Sequence, residues 1–198
     1  MKLSNKLTLV RVIFAPIFFL IYFIPIWTGK FTFASLLIAF PLLIFAEFTD
    51  YLDGHFARKY NEVSDFGKLF DPFADVILHL TTFVCFMRSV NPEYSYMPIF
   101  ILLLIMLREF TQNFLRMVAA KKGVAIAARK GGKFKTVMYV ISEFFALFIE
   151  LLVRINKQPA CWQVLKNISL VLFIICVICS YASFLDYVVH FAPVLKEE

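Results

Sequence analysis

Four aspartates form two pairs within one short stretch of the chain. Asp50 and Asp53 are three residues apart, and Asp71 and Asp75 are four residues apart. In a helix, both spacings place the two side chains on one face. Ligand oxygens without His or Cys among them suit Mg²⁺, Mn²⁺ or Ca²⁺. Four negative charges match two divalent ions, and such a pair of ions is a common device for displacement at phosphorus. The spacing therefore indicates a metal site that acts on a phosphate.

Small residues and one cation accompany the aspartates. Gly54 and Gly67 let helix backbones or phosphates approach closely. Ala57 has a small side chain and leaves space in the expected site. Arg58 is placed to hold a phosphate through two parallel hydrogen bonds. The alternative, a solvated acidic rim between two helices, remains open for any single aspartate. The full spacing with both glycines disfavours it.

The composition describes the elements that must position these residues. Of 198 residues, 61% are hydrophobic and 17% are charged, whereas soluble domains carry roughly 45–50% and ~25%. The excess predicts an integral membrane protein. A membrane-spanning helix needs ~20 mostly apolar residues. Six stretches approach that length, at about residues 12–29, 31–48, 69–87, 97–120, 136–153 and 168–185.

These stretches and their short connections predict an all-α fold. We expect a polytopic membrane bundle of six transmembrane helices, forming a single domain over residues 1–198. A short, basic N-terminal helix at residues 1–8 is expected to lie along the membrane surface before the first span. The second and third helices are joined by a short loop, so they are antiparallel neighbours and the two aspartate pairs can face each other.

The distribution of Lys and Arg predicts the orientation. An even number of spans puts both termini on one side. The N-terminal segment, the second–third loop and the fourth–fifth loop hold twelve of these residues, against five in the opposite loops. The positive-inside rule then predicts a multi-pass protein of the cell (inner) membrane, with both termini and the aspartates cytoplasmic. Topology alone explains the basic loops, so we expect no nucleic-acid partner.

The aspartate pattern resembles a known signature. It reads D-x-x-D-G-x-x-A-R-x8-G-x-x-x-D-x-x-x-D, and every fixed position is matched. This signature is similar to that of the CDP-alcohol phosphotransferase family. This resemblance implies a membrane enzyme, usually a homodimer, that uses two Mg²⁺ or Mn²⁺ ions. It implies that Asp50, Asp53 and Asp71 bind metal, and that Asp75 is both a metal ligand and the catalytic base.

Three looser segments look like bacterial phosphatidylglycerophosphate synthases, one subfamily. They are residues 3–11 with Pro16, Arg108-Glu109 with Arg116, and residues 132–136. This resemblance implies transfer of the phosphatidyl group of CDP-diacylglycerol to glycerol 3-phosphate, with release of CMP. The expected CDP-diacylglycerol pocket comprises Asn5, Thr8, Asp53, Gly54, Ala57, Arg58 and Gly67. The expected glycerol 3-phosphate site comprises Arg108, Arg116, Lys133 and Lys135.

The charge of the acceptor supports a second basic site. Arg108 follows ten apolar residues, so it must face a polar cavity or a partner in the membrane. Arg116 lies about 80° around the same helix and can border the same cavity. A structural pair of Arg108 with Glu109 or Glu47 remains an alternative. For the two lysines, a role as topology-setting loop charges is equally open.

One position departs from the subfamily pattern. Members often carry Lys directly after the last aspartate, where this chain has Val76. Serine, inositol, inositol phosphate or phosphatidylglycerol therefore remain alternative acceptors. A divalent-cation transporter could use the same carboxylates. It should have polar groups in both halves of the membrane, and the outward halves of the first, second and sixth spans carry almost no charge.

Other polar residues are expected to stay inside the bundle. His79 lies one turn beyond Asp75, where a hydrogen-bonded contact between helices is expected. Glu143 and Glu150 are seven residues apart on one helix face, which we expect to point inward or to an interface.

Overall fold

A computed structural model describes residues 3–59, 65–123, 130–156 and 161–196. Within these ranges, the description excludes the side chains of residues 3, 4, 51, 53–59, 65, 66, 68, 130 and 192–196. The described ranges contain six helices and no strand, which confirms the predicted all-α class. The helices are α1 Leu3–Thr28, α2 Thr32–Lys59, α3 Asp65–Cys85, α4 Ile99–Lys121, α5 Lys130–Arg154 and α6 Trp162–Lys196.

Two glycines end helices in the left-handed conformation. Gly29 follows α1 with φ of +68°, and its N–H donates to the carbonyl of Pro25 at 2.9 Å. Gly123 follows α4 with φ of +76°. A residue without a Cβ adopts this conformation at little cost, so both positions stop a helix where the chain must turn back.

The first helix differs from the prediction. A separate interfacial helix at residues 1–8 was expected, but α1 runs without a break from Leu3 to Thr28. That prediction is wrong because the beginning of α1 belongs to the bundle interior. Asn5, Thr8 and Arg11 are all buried, whereas an interfacial helix would turn such polar groups to water.

The bundle has two halves of three helices each. α1 packs against α2 and α3, while α6 packs against α5 and α4. α3 joins the halves through α4 and α5, and α2 also contacts α5. We call the end where α1 begins and α2 ends the aspartate end, and the end where α1 ends and α2 begins the far end.

Aromatic side chains fill the centre between the halves. The ring of Phe83 on α3 lies 5.1 Å from that of Tyr139 on α5 and 5.4 Å from that of Phe173 on α6, in edge-to-face arrangements. All three are almost completely buried. Edge-to-face pairs add to the stabilisation that burial provides, so this cluster fixes α3 against the second half.

A buried ion pair closes the far end. Arg154 Nε donates to Glu150 Oε1 at 2.7 Å, and both side chains are fully buried. Arg154 also donates to Ser35 Oγ at 2.5 Å and to the carbonyl of Tyr22 at 3.0 Å. Tyr96 donates to the second oxygen of Glu150 at 2.7 Å. The pair therefore ties α1, α2 and α5 together. We call it the far-end pair.

The outer surface is strongly apolar, as befits a membrane protein. Large side chains such as Leu37, Ile38 and Phe45 are more than half exposed on α2 alone. Exposed apolar surface on this scale is typical of a protein surface in contact with lipid. Among the described residues, four helices are long and apolar enough to cross a bilayer, over Asn5–Thr28, Thr32–Asp50, Gly131–Arg154 and Trp162–Phe191. The protein is a membrane protein.

Candidate active site

Three of the four motif aspartates meet beside α1. Arg11 Nη1 contacts Asp50 Oδ1 on α2 at 2.5 Å and also contacts Asp75 Oδ1 on α3. Thr8 Oγ1 donates to Asp71 Oδ1 at 2.6 Å. Because one nitrogen contacts oxygens from both helices, those oxygens lie within reach of a single cation. The predicted approach of the two pairs is thus observed for Asp50, Asp71 and Asp75.

Burial differs across this group of residues. Thr8 and Arg11 are three residues apart, so they share one face of α1, and both are fully buried. The side chains of Asp50 and Asp75 are 42% and 31% exposed. Buried residues of α1 therefore hold the carboxylates from inside the bundle, while the exposed parts of these carboxylates remain open to a ligand.

The donor set fits divalent cations that prefer oxygen. Arg11 is a cation that already bridges two of the carboxylates, which shows that positive charge is favoured there. Three carboxylates against one guanidinium still leave an excess of negative charge. The partly exposed oxygens of Asp50 and Asp75 can accept hard ions such as Mg²⁺ or Mn²⁺. The side chain of Asp53, the remaining predicted ligand, lies outside the described residues.

The predicted donor pocket is described only in part. The side chains of Ala57 and Arg58, and the surroundings of Gly54, lie outside the described residues. Asn5 is buried on the same face of α1 as Thr8, and its Oδ1 has no hydrogen-bond partner in the described part of the chain. Gly67 is buried near the start of α3. An unsatisfied buried amide oxygen, about one helical turn before Thr8, is available to a ligand.

A second ionic cluster involves the predicted acceptor residues. Arg108 Nη1 on α4 lies 2.8 Å from Glu109 Oε1, and Lys135 Nζ on α5 lies 2.7 Å from the same oxygen. Arg108 Nε donates to the carbonyl of Ser180 on α6 at 2.9 Å, and Tyr139 donates to Glu109 at 2.9 Å. Two cations thus share one carboxylate. The structural pair of Arg108 with Glu109, left open by the sequence, is present, and the cluster keeps one positive charge in excess.

The other two predicted acceptor residues lie outside this cluster. Lys133 is exposed near the start of α5, and no contact joins it to Arg108 or Lys135 among the described residues. Arg116 is half-buried on α4, and its Nε has no hydrogen-bond partner in the described ranges. The structure therefore brings Arg108 and Lys135 together, but not Lys133.

Sequence reasoning missed Arg11. It was counted only as a topology-setting charge and as part of a segment that resembles the subfamily. A signal was present, since an arginine three residues beyond Thr8 at the start of a long apolar stretch needs a buried anion. In the structure, Asp50 and Asp75 are anions that Arg11 contacts.

The expectation for His79 is confirmed. Its Nδ1 lies 2.9 Å from Glu143 Oε1 on α5, and Thr82 Oγ1 donates to the same oxygen at 2.5 Å. Glu143 and Glu150 are both fully buried, as expected for an inward-facing pair. Glu47 lies nearby, with its Oε1 3.9 Å from His79 Nδ1.

Comparison with known proteins identifies the family. The family model described as CDP-alcohol phosphatidyltransferase matches residues 1–182. The chain belongs to this family. The resemblance indicated by the aspartate pattern is thereby confirmed, and with it an enzyme of a generally metal-dependent class of transferases.

Several curated relatives carry one name, CDP-diacylglycerol–glycerol-3-phosphate 3-phosphatidyltransferase. The protein from Treponema pallidum is 35% identical over 207 residues, covering 99% of this chain and 92% of the relative. The protein from Bacillus subtilis is 34% identical, covering 71% of this chain and 74% of the relative. The protein from Rickettsia typhi is 35% identical, covering 76% of each.

Proposed function

We propose that this protein transfers the phosphatidyl group of CDP-diacylglycerol to glycerol 3-phosphate, giving phosphatidylglycerophosphate and CMP. The observation that carries the proposal is the meeting of Asp50 and Asp75 at Arg11, with Asp71 held by Thr8 one turn earlier on α1, in a chain of this family. The name that these relatives share supports the choice of both substrates.

The aspartates would perform the chemistry. Asp75 accepts the proton of the 1-hydroxyl of glycerol 3-phosphate, and the hydroxyl oxygen forms a bond to the phosphorus that bears diacylglycerol. The bond from that phosphorus to the bridging oxygen breaks, and CMP leaves with this oxygen. Asp50, Asp53, Asp71 and Asp75 would hold two ions, Mg²⁺ or Mn²⁺. These ions would supply charge neutralisation and alignment of the diphosphate.

Residues on α1, α2 and α3 would bind the nucleotide lipid. Asn5 offers an unsatisfied amide oxygen, and Thr8 holds Asp71 through its hydroxyl. In our proposal the pocket is completed by Asp53, Gly54, Ala57, Arg58 and Gly67. The apolar outer surface would leave the acyl chains of the substrate in the bilayer.

The Arg108–Lys135 cluster would receive the phosphate of the acceptor. Glu109 neutralises only one of the two cations, so the remaining positive charge favours a dianion. Arg116 would border the same space with its unpartnered Nε. Lys133, at the exposed start of α5, would attract the acceptor electrostatically without binding it directly.

We infer a cytoplasmic site in a single domain. Six membrane-spanning helices, with both termini on the cytoplasmic side of the cell membrane, would place the aspartate end where glycerol 3-phosphate and CMP are soluble. A homodimer is part of the proposal, on the strength of the family resemblance alone.

The transporter alternative gains no support. A transport path needs polar groups leading through both halves of the membrane. The ionisable groups of the far-end pair are fully buried and bonded to each other, so they offer an ion no vacant ligands.

An acceptor panel tests the proposal. Purified protein is supplied with CDP-diacylglycerol, Mn²⁺ or Mg²⁺, and glycerol 3-phosphate, serine, inositol, inositol phosphate or phosphatidylglycerol, and CMP release is measured. We expect release with glycerol 3-phosphate only. Release with another acceptor instead would overturn the subfamily assignment. No release with any acceptor, from protein that elutes as a folded species, would overturn the enzyme proposal.

A further inference from the structure

A second group of ionisable side chains lies deeper in the bundle than the aspartates. It consists of Glu47 on α2, His79 on α3 and Glu143 on α5, which we call the buried triad. One ligand atom from each residue lies within 4.8 Å of the others. Glu47 precedes Asp50 by three residues and His79 follows Asp75 by four, so the triad lies about one helical turn further into the bundle.

The charges of the buried triad do not balance. A protonated His79 can neutralise one carboxylate, while the other keeps its charge. No Lys or Arg within the described ranges forms an ion pair with Glu47 or Glu143. An unpaired carboxylate inside a membrane protein is costly, so the triad needs a further cation or proton.

Unsatisfied oxygens point to a bound cation. Glu143 is fully buried, yet its Oε2 has no hydrogen-bond partner among the described residues. Glu47 Oε1 is likewise buried and without a hydrogen bond in the described part of the chain. Both carboxylates contribute to the same cluster of ligand atoms. Buried carboxylate oxygens normally have partners, and a metal ion bound by this cluster would supply a positive partner for both carboxylates.

The ligand types indicate the class of metal. An imidazole nitrogen with two carboxylate oxygens suits a first-row transition metal better than Mg²⁺ or Ca²⁺, which favour oxygen alone. We propose that Glu47, His79 and Glu143 bind one Zn²⁺-like transition-metal ion, at a site separate from the motif aspartates. The ion would tie α2, α3 and α5 together beneath Asp50 and Asp75, and so position them.

Zinc binding tests this proposal without using enzyme activity. The protein carrying Asp71→Asn is stripped with a chelator and dialysed against Zn²⁺, and bound zinc is measured by elemental analysis. We expect one tightly bound equivalent. Adding Glu143→Gln removes a ligand, so the affinity should fall at least about 100-fold, more than the loss of an outer-shell partner produces. Adding Glu93→Gln instead removes one exposed glutamate, in the connection between α3 and α4, and should leave zinc bound.

Two outcomes would overturn the proposal. Either the Asp71→Asn protein retains no zinc, which means that the triad holds a proton, or Glu143→Gln binds zinc as tightly as its parent. A second variant guards against misfolding. His79→Cys keeps a ligand at the same place, so cobalt-loaded protein should gain a sulfur-to-metal charge-transfer band, and a spectrum without that band counts against the site. Asp71→Asn is expected to be inactive, so these results do not depend on the proposed transfer reaction.

Discussion

The two ends of the bundle each bury an arginine, but the carboxylates around it differ. At the aspartate end, Arg11 contacts two carboxylates whose side chains are 42% and 31% exposed. At the far end, Arg154 contacts one carboxylate, and neither Arg154 nor Glu150 is exposed. The first arrangement leaves negative charge and open oxygens. The second is a neutral pair of one positive and one negative charge, and its members are hydrogen-bonded to each other.

This difference separates a ligand site from a structural contact. An arginine that meets more carboxylates than it can neutralise makes a place where further cations are favoured. A fully buried pair with every charge matched has nothing to offer a ligand, and it specifies how α1, α2 and α5 pack. Charge excess together with partial exposure therefore identifies the chemical end of this molecule.

The largest expected effect comes from Asp71→Asn at the aspartate end. The amide keeps the shape and can still accept from Thr8, but it loses the charge that holds a divalent ion. We expect activity to fall at least about 10³-fold, which is about 4 kcal/mol of transition-state stabilisation. CMP release is measured alongside thermal unfolding in detergent, and the unfolding temperature should hardly change. Retained turnover in this variant would refute the metal role of Asp71.

Arg154→Met at the far end should have the opposite effect. It leaves the Glu150 carboxylate buried without its counter-ion, so we expect stability to fall by about 3–5 kcal/mol. Unfolding by denaturing detergent measures this loss. Activity per folded molecule should be unchanged, because this residue is remote from the aspartates. A loss of activity without a loss of stability would contradict the comparison.

Removing both charges of the far-end pair should be milder than removing one. Glu150→Leu combined with Arg154→Met leaves no uncompensated charge, so we expect a loss of about 1–2 kcal/mol, less than for Arg154→Met alone. Tyr96 keeps Ser89 Oγ as a partner at 3.4 Å. The same detergent titration compares the two variants. Equal losses would mean that the charge of Glu150 does not matter.

An effect of similar small size is expected from Arg11→Lys. Lysine keeps the positive charge but carries it on a compact ammonium with a flexible stem, which should hold Asp50 and Asp75 less firmly than the rigid guanidinium whose Nη1 contacts both carboxylates. We expect kcat to fall about tenfold, or about 1.4 kcal/mol, with both substrates saturating. Lys6→Arg, on the exposed side of α1, is the matched control and should leave kcat unchanged. Equal kcat for Arg11→Lys and the parent protein would show that the bridge has no part in the reaction.

Much of the architecture follows from the sequence because it depends on local properties. Apolar stretches close to the length of a membrane crossing predict six helices, and six are observed in the described ranges. The prediction of an interfacial helix at residues 1–8 is wrong because the contacts that decide its position are made with residues distant in the sequence. A basic, polar start such as this suits a membrane surface, but Thr8 and Arg11 find their partners on α2 and α3.

The sequence predicts the convergence of site residues only where those residues lie close together along the chain. Asp50, Asp71 and Asp75 lie within one fixed pattern, so their convergence followed from two helices and a short loop. The subfamily resemblance assigns Arg108 to the acceptor, and the ten apolar residues before it support that assignment. Its bond to the Ser180 carbonyl, 72 residues away, depends on how α4 rotates against α6. Spacing along one helix contains no information about that rotation.

The sequence by itself determined the membrane character, the helices, the family and the aspartates, because these depend on composition and on spacing within a few turns. Tertiary structure alone decided that Arg11 joins the aspartates, that Lys135 shares Glu109 with Arg108 while Lys133 remains exposed, and that Glu47, His79 and Glu143 form one cluster. The physical reason is that a buried charge must find its partner wherever packing brings one within reach, and for Thr8 and Asp71 that partner is 63 residues away.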